Sequence, residues 1–188
     1  MSYMGDSSWW DKRFKSRALQ LMHHEMQMEE DLDYFLPKVK VLDVACGDGR
    51  NTIYLARLGY HVTAIDFSEE ALKRLNYFAD KECLDITIRQ VDLSDNKAMI
   101  ALDKFDAIIM NHFRPNPELY PELMRHLNKN GILWVNGFRE VPLDNLNVTE
   151  SDILRDDDFA LIKAYALENR KLYEIEQRKF VRYIWRKS

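Results

Sequence analysis

At 188 residues with 46% apolar content, the chain is long enough to bury one full hydrophobic core and reads as a single domain, residues 1–188. A net charge of −4 and a pI of about 5.8 argue against a nucleic-acid binder working by electrostatics, which carries a basic domain. Cys46 and Cys83 suit neither a metal nor a disulfide framework, and no 18-residue apolar run or charged-then-apolar leader occurs, so a cytoplasmic protein without a membrane partner is expected.

The opening MSYMGDSS is small and polar, and order is expected from about Trp9. Trp9, Trp10, Arg13 and Phe14 in WWDKRF are a costly set to leave in solvent. From Arg17 to Phe35, Ala18, Leu21, Met22, Met26, Leu32 and Phe35 follow one helical face that Pro37 ends, with the methionines as core filler. Val41, Leu42 and Val44 then form a short strand, Gly47 and Gly49 a tight turn, and a helix from Thr52 closes at Gly59. A strand from His61 to Ile65 ends on Asp66, and Ser68 with Glu69 and Glu70 starts a helix whose Leu72, Leu75 and Phe78 face the sheet.

Further strands are expected over Ile86–Val91, Phe105–Met110 and Ile132–Asn136, with a short helix near Lys97–Leu102. Pro117 suits the first turn of a helix striped by Leu119, Leu123 and Leu127 and stopped by Gly131. Thr149 with Asp152 resembles a capping box, and Phe159–Leu167 with Leu172–Trp185 should pair as a hairpin. The closing RKFVRYIWRK reads as an amphipathic strand with wet cationic heads rather than a nucleic-acid surface. This alternation predicts an α/β fold: a doubly wound, mostly parallel, seven-stranded sheet ending in an antiparallel pair. Residues 1–36 form an amino-terminal helical segment, 37–140 the core and 141–188 a helix and hairpin.

The glycine loop after the first strand makes a nucleotide cradle, since a helix start there offers unpaired N–H groups. A dinucleotide fingerprint needs a small third residue, but Thr52 holds that place. Asp43 just before the glycines would repel a pyrophosphate and accept from an ammonium, which favours a zwitterionic sulfonium ligand. Asp66 at the end of the second strand can accept two ribose hydroxyls or, as the plain alternative, cap the next helix. Phe67 can lie on an adenine or in the core. The five histidines lack ligand spacing, His23 and His24 being adjacent, so no metal is expected.

VLDVACGDGRN, AIDFS, VDLSD and FDAIIMN, in that order over roughly residues 35–140, resemble the motif set of class I S-adenosylmethionine-dependent methyltransferases, with Ala45 where that family more often has glycine. The resemblance implies a Rossmann-like fold and S-adenosyl-L-methionine as cofactor. It also implies binding by Asp43, Ala45, Gly47, Gly49, Arg50, Asn51, Asp66, Phe67, Asp92, Leu93 and Asn111. Asp92 would accept from the adenine amino group or merely make a turn, and Asn111 would meet the methionine part. His112 is the catalytic candidate, orienting or deprotonating an acceptor, or else a surface residue. NHFRPN lacks the Asn/Asp-Pro-Pro-aromatic motif of base amino-methyltransferases. WWDKRF and the stretch from Phe105 to Phe138 are similar to the small tellurite-resistance and thiopurine types. That likeness implies an amino-terminal lid, with Trp9, Trp10, Arg13 and Arg114 at the acceptor side.

The expected function is methyl transfer to a small-molecule acceptor by direct in-line displacement. A tRNA or protein methyltransferase, a non-catalytic cofactor-binding module and an NAD-dependent oxidoreductase remain as alternatives.

Overall fold

Apolar runs bounded by turn residues become strands covered on both faces, as a parallel sheet requires. The computed structural model describes residues 6–94, 101–145 and 147–188. The strands are β1 (Lys40–Val44), β2 (His61–Asp66), β3 (Thr87–Gln90), β4 (Phe105–Asn111), β5 (Leu127–Phe138), β6 (Ala166–Ile175) and β7 (Arg178–Arg186). They form one seven-stranded sheet in the order β3-β2-β1-β4-β5-β7-β6. The first five pair in parallel, whereas β7 runs antiparallel to both β5 and β6. The doubly wound sheet and its terminal hairpin therefore match the alternation in the sequence.

Successive strand residues face opposite sides. Val41, Ile109, Trp134 and Ile184 pack on one face with Met28 and Leu55, and Leu42, Ile108, Leu133 and Tyr183 on the other with Tyr120 and Leu123. The helices are α1 (Ser7–Ser16), α2 (Met26–Glu30), α3 (Arg50–Arg57), α4 (Glu69–Lys81) and α5 (Leu119–His126). Gly59 takes φ 88° just beyond α3, and the Ser68 hydroxyl caps α4 by accepting from the Ala71 N–H. Leu72, Leu75 and Phe78 are buried, as their spacing predicts.

Several expectations fail for identifiable reasons. The Arg17–Phe35 run is not one helix: α1 stops at Ser16 and only α2 and a 3-10 turn, Leu32–Tyr34, follow. Arg74 of α4 donates to the carbonyls of Arg17 (3.2 Å) and Ala18 (2.8 Å). Met22 and Met26 are exposed, and Met28 is the core methionine. Pro117 precedes α5, and Gly131 lies within β5 rather than stopping the helix. A Cβ at Gly131 would stand 2.9 Å from the Asn128 carbonyl and 3.0 Å from that of Asp106, so glycine answers a close backbone approach there. Phe159 is buried from a 3-10 segment, Asp156–Ile162, and does not belong to the hairpin. The capping box forms at Thr149 and Asp152 around a 3-10 turn. Residues 97–100 of the expected short helix lie outside the described residues.

β7 departs most from its reading. It runs between β5 and β6 with both faces covered, and its Arg182 is buried. Arg182 Nε stands 2.7 Å from Asp31 Oδ2, which also accepts from the Trp134 indole at 2.7 Å. This buried pair fastens the segment after α2 to the sheet. Asp31→Ala should lower the unfolding free energy by about 3–5 kcal/mol, because it strands a buried guanidinium. Urea titration checks this, with Asp33→Ala as the exposed control.

Candidate functional site

The loop after β1 turns back sharply under the sheet's carboxyl edge. Ala45, Gly47 and Gly49 have φ of 54°, 58° and 86°. The left-handed conformation costs a non-glycine residue roughly 1–2 kcal/mol, so Ala45 carries strain that the family's glycine would not. Gly49 stands at the N-cap of α3, and a Cβ there would lie 2.2 Å from Leu75 Cδ1. At Gly47 the nearest atom to such a Cβ is Phe14 Cζ, at 3.2 Å. α1 thus roofs the loop, and Asp11 Oδ1 fixes it to the start of α4 by accepting from the Ser68 hydroxyl (2.6 Å) and the Glu70 N–H (3.2 Å).

Beside this loop opens a cleft of about 890 Å³ at the carboxyl ends of β1, β2 and β4, where open α/β sheets bind ligands. Ala45, Gly47, Arg50, Asp66, Phe67, Asp92, Leu93, Asn111 and His112 all reach it, as does Trp10. Asp66 Oδ2 accepts from the Gly47 N–H (2.8 Å) and its Oδ1 from the Ser68 N–H (2.9 Å). It joins the loop to the helix start while still facing the cleft. Asp92 makes an Asx turn, accepting from the Ser94 N–H at 2.9 Å and hydroxyl at 2.7 Å.

Other predicted site residues stand elsewhere. Asp43 is buried beneath the loop, where Thr52 donates to it at 2.6 Å, and it does not line the cleft. Burial raises its carboxyl to about 7 despite that bond, so the repulsion expected of Asp43 must come from other acids. Gly49 and Asn51 are also beneath the surface; Asn51 Oδ1 accepts the Glu25 N–H at 2.9 Å. Trp9 is exposed, and the Arg13 guanidinium lies 5.3 and 5.6 Å from the Trp9 and Trp10 rings. Arg114 donates to both oxygens of buried Asp158, at 2.8 and 2.5 Å, and braces the chain after β4. The buried carboxylate needs a cationic partner and draws it from the acceptor side. Cys46 packs against the cluster of Ile53, Leu72 and Leu75, and burial pushes its thiol up.

Two lining or neighbouring residues carry no sequence signal. Glu25 comes from the irregular segment before α2 and is buried. It meets His112 Nε2 at 3.0 Å and Arg50 Nη2 at 3.3 Å. Tyr173 of β6 lies 3.4 Å from Glu25 and donates to Asn136 at 2.8 Å. His112 is therefore not a surface residue. The fold also gathers ligand atoms of His23, His24 and Glu29 within 4.8 Å, which the adjacency of the histidines concealed; His24 Nε2 and Glu29 engage each other at 2.5 Å.

Residues 41–131 match the model of a family described as a methyltransferase domain. The chain is 36% identical over 99 residues to the probable S-adenosyl-L-methionine-dependent methyltransferase TehB of Haemophilus influenzae, covering 49% of this chain and 33% of that protein. It is 32% identical over 111 residues to a ubiquinone biosynthesis O-methyltransferase of Actinobacillus pleuropneumoniae, covering 54% and 45%. It thus spans less than half the length of these relatives. The crystal structure of TehB from Haemophilus influenzae superposes with a TM-score of 0.71 at 23% identity, covering 97% of this chain and 67% of that one.

The raised Asp43 carboxyl gives a signed pH dependence. Its folded value of about 7 exceeds the model-peptide 3.8, so stability present at acid pH is lost as pH rises through about 4 to 7. Asp43→Asn should flatten that part of the decline and exceed the parent by a few kcal/mol at pH 8. Thermal melts from pH 4 to 8 compare the two slopes.

Proposed function

We propose that the chain is a class I S-adenosylmethionine-dependent methyltransferase, which binds that cofactor in the cleft and transfers its methyl group to a small-molecule acceptor. The observation that carries this reading is Asp66 at the carboxyl end of β2, facing the cleft beside a loop with three left-handed residues. A carboxylate has about four lone-pair sites, so each oxygen bonded to one N–H retains capacity for a ribose hydroxyl. Phe67 suits the adenine face, Asp92 and Leu93 its edge, and Gly47, Arg50 and Asn111 the methionine end. Asp43, Gly49 and Asn51 act from beneath by holding the loop and the segment before α2.

The cofactor supplies an electrophilic methyl on a sulfonium centre. The chain's part is to position the acceptor in line at about 3 Å and to exclude water. Trp10 and Phe14 of α1 line the cleft, which supports α1 as its cover, and His112 is placed to orient or deprotonate the acceptor. A small acceptor accords with the likeness to a ubiquinone biosynthesis O-methyltransferase and with a cleft walled by the chain's own helix. Glu25, Asp48, Asp66 and Asp92 all line the cleft, and such a ring of acids disfavours a dinucleotide's pyrophosphate.

Calorimetry should show S-adenosylmethionine and its demethylated product binding while NADH does not. Asp66→Ala should weaken the cofactor by roughly tenfold to a hundredfold, through loss of charge-assisted hydrogen bonds. NADH binding as tight as S-adenosylmethionine would defeat the assignment. An Asp66→Ala protein with unchanged affinity and a lower melting temperature would make Asp66 a structural cap.

Amide hydrogen exchange tests the cover. Residues 7–16 should gain protection on adding S-adenosylhomocysteine. Protection equally strong without ligand would make α1 a fixed anchor held by Asp11 and Phe14.

A further inference from the structure

We propose that Glu25 and His112 form a carboxylate–imidazole dyad that removes the proton from an aromatic hydroxyl acceptor seated against Phe138 and Phe180. This rests on the methyl-transfer reading above. Glu25 Oε2 lies 3.0 Å from His112 Nε2, 3.3 Å from Arg50 Nη2 and 3.4 Å from Asn111 Nδ2. A carboxylate accepts only, so Nε2 carries the imidazole proton and Nδ1 keeps the lone pair. Nδ1 is buried and has no hydrogen-bond partner among the described residues. A structural histidine in a core normally has both nitrogens satisfied; here one is satisfied by a carboxylate and the other is left without a donor among the described residues.

The backbone holds this arrangement against its own preference. His112 has φ 52°, and its N–H bonds the Asn136 carbonyl at 2.8 Å. Strained residues of this kind gather at functional sites. Burial pushes the His112 imidazole down, so it is neutral at pH 7 with a lone pair open to a proton. Burial pushes the Glu25 carboxyl up, but the hydrogen bonds from His112 and Asn111 and the charge of Arg50 oppose it, and Glu25 stays below the usual range. Tyr173 faces the pair from β6, and burial pushes its phenol up, so it remains a neutral donor.

The surroundings select the acceptor. The His112 ring lies 4.9 Å from Phe138 and 5.6 Å from Phe180, and those two rings are 5.0 Å apart. All three line the cleft, which offers an aromatic wall to a planar ring. A thiol ionises near pH 8.5 and has little need of a base, whereas a phenol near pH 10 stays protonated. An ammonium acceptor would approach the Arg50 guanidinium as well as the sulfonium. In the reaction, the hydroxyl proton passes to Nδ1 as an oxygen lone pair forms the O–C bond to the methyl carbon. The C–S bonding pair remains on sulfur as a neutral thioether. The imidazolium, paired with Glu25, then releases its proton to solvent.

Two measurements on the full chain test this. With ring-¹⁵N histidine, NMR at pH 7.5 should show His112 as a single Nε2–H tautomer in the parent, and Glu25→Gln should lower its pKa by about one unit or more. With S-adenosylmethionine present, catechol should be methylated in preference to thiophenol and benzylamine. Glu25→Gln should then cut kcat for catechol by about a hundredfold, with KM changed far less. A mixed or Nδ1–H tautomer in the parent overturns the dyad whether or not any variant folds. An unchanged His112 titration in Glu25→Gln does so as well. Preference for the thiol or amine, or no transfer to catechol by protein that binds the cofactor, overturns the acceptor class. Failure to bind S-adenosylmethionine with the tautomer intact would instead defeat the methyl-transfer reading.

Discussion

Glu25 ties its own segment to three other pieces of the chain at one buried point. Its N–H reaches Asn51 in α3, and its carboxylate meets Arg50 of the same helix, Asn111 at the end of β4, His112 just beyond it, and Tyr173 of β6. Desolvating a carboxylate costs several kcal/mol unless charge-assisted hydrogen bonds replace its water. The segment before α2 therefore has little freedom to lie elsewhere, and the cleft gains a wall that no strand or helix of the alternating core supplies.

The same requirement recurs farther along the same face of the sheet. Asp31, Trp134 and Arg182 bury a charge pair where the β-α-β pattern alone would place apolar residues. Tyr34 accepts from Asn169 at 2.7 Å, and Lys171 pairs with Glu30 at the surface. The amino-terminal segment is thus stitched to the terminal hairpin on one side and to the cleft on the other. That double attachment explains why it forgoes the single helix its apolar spacing suggests: its polar groups are claimed by partners distant in sequence.

Around the cleft, strain and charge are both concentrated. Ala45 and His112 occupy left-handed backbone just beyond the ends of the neighbouring strands β1 and β4, and the acids Glu25, Asp48, Asp66 and Asp92 line it. Such a field suits a cationic sulfonium and a reaction that consumes positive charge at sulfur. Asp43 takes part from below, through the loop and its bond to Thr52 rather than by facing a ligand.

The sequence by itself determined the β-α order, the glycine loop, the serine cap of α4, the terminal hairpin and the position of Asp66, because each is written in adjacent residues through periodicity, turn chemistry or spacing. It also pointed to Asn111 and His112 by their place at the carboxyl end of β4. Only the tertiary structure decided that Asp43 is covered, that Arg114 is spent on Asp158, that Arg182 is buried in an inner strand, and that Glu25 stands against His112. The last three depend on polar partners 44 to 151 positions away along the chain. Burial and pairing of a polar side chain follow from which distant element arrives beside it, and no local pattern of residues encodes that arrival.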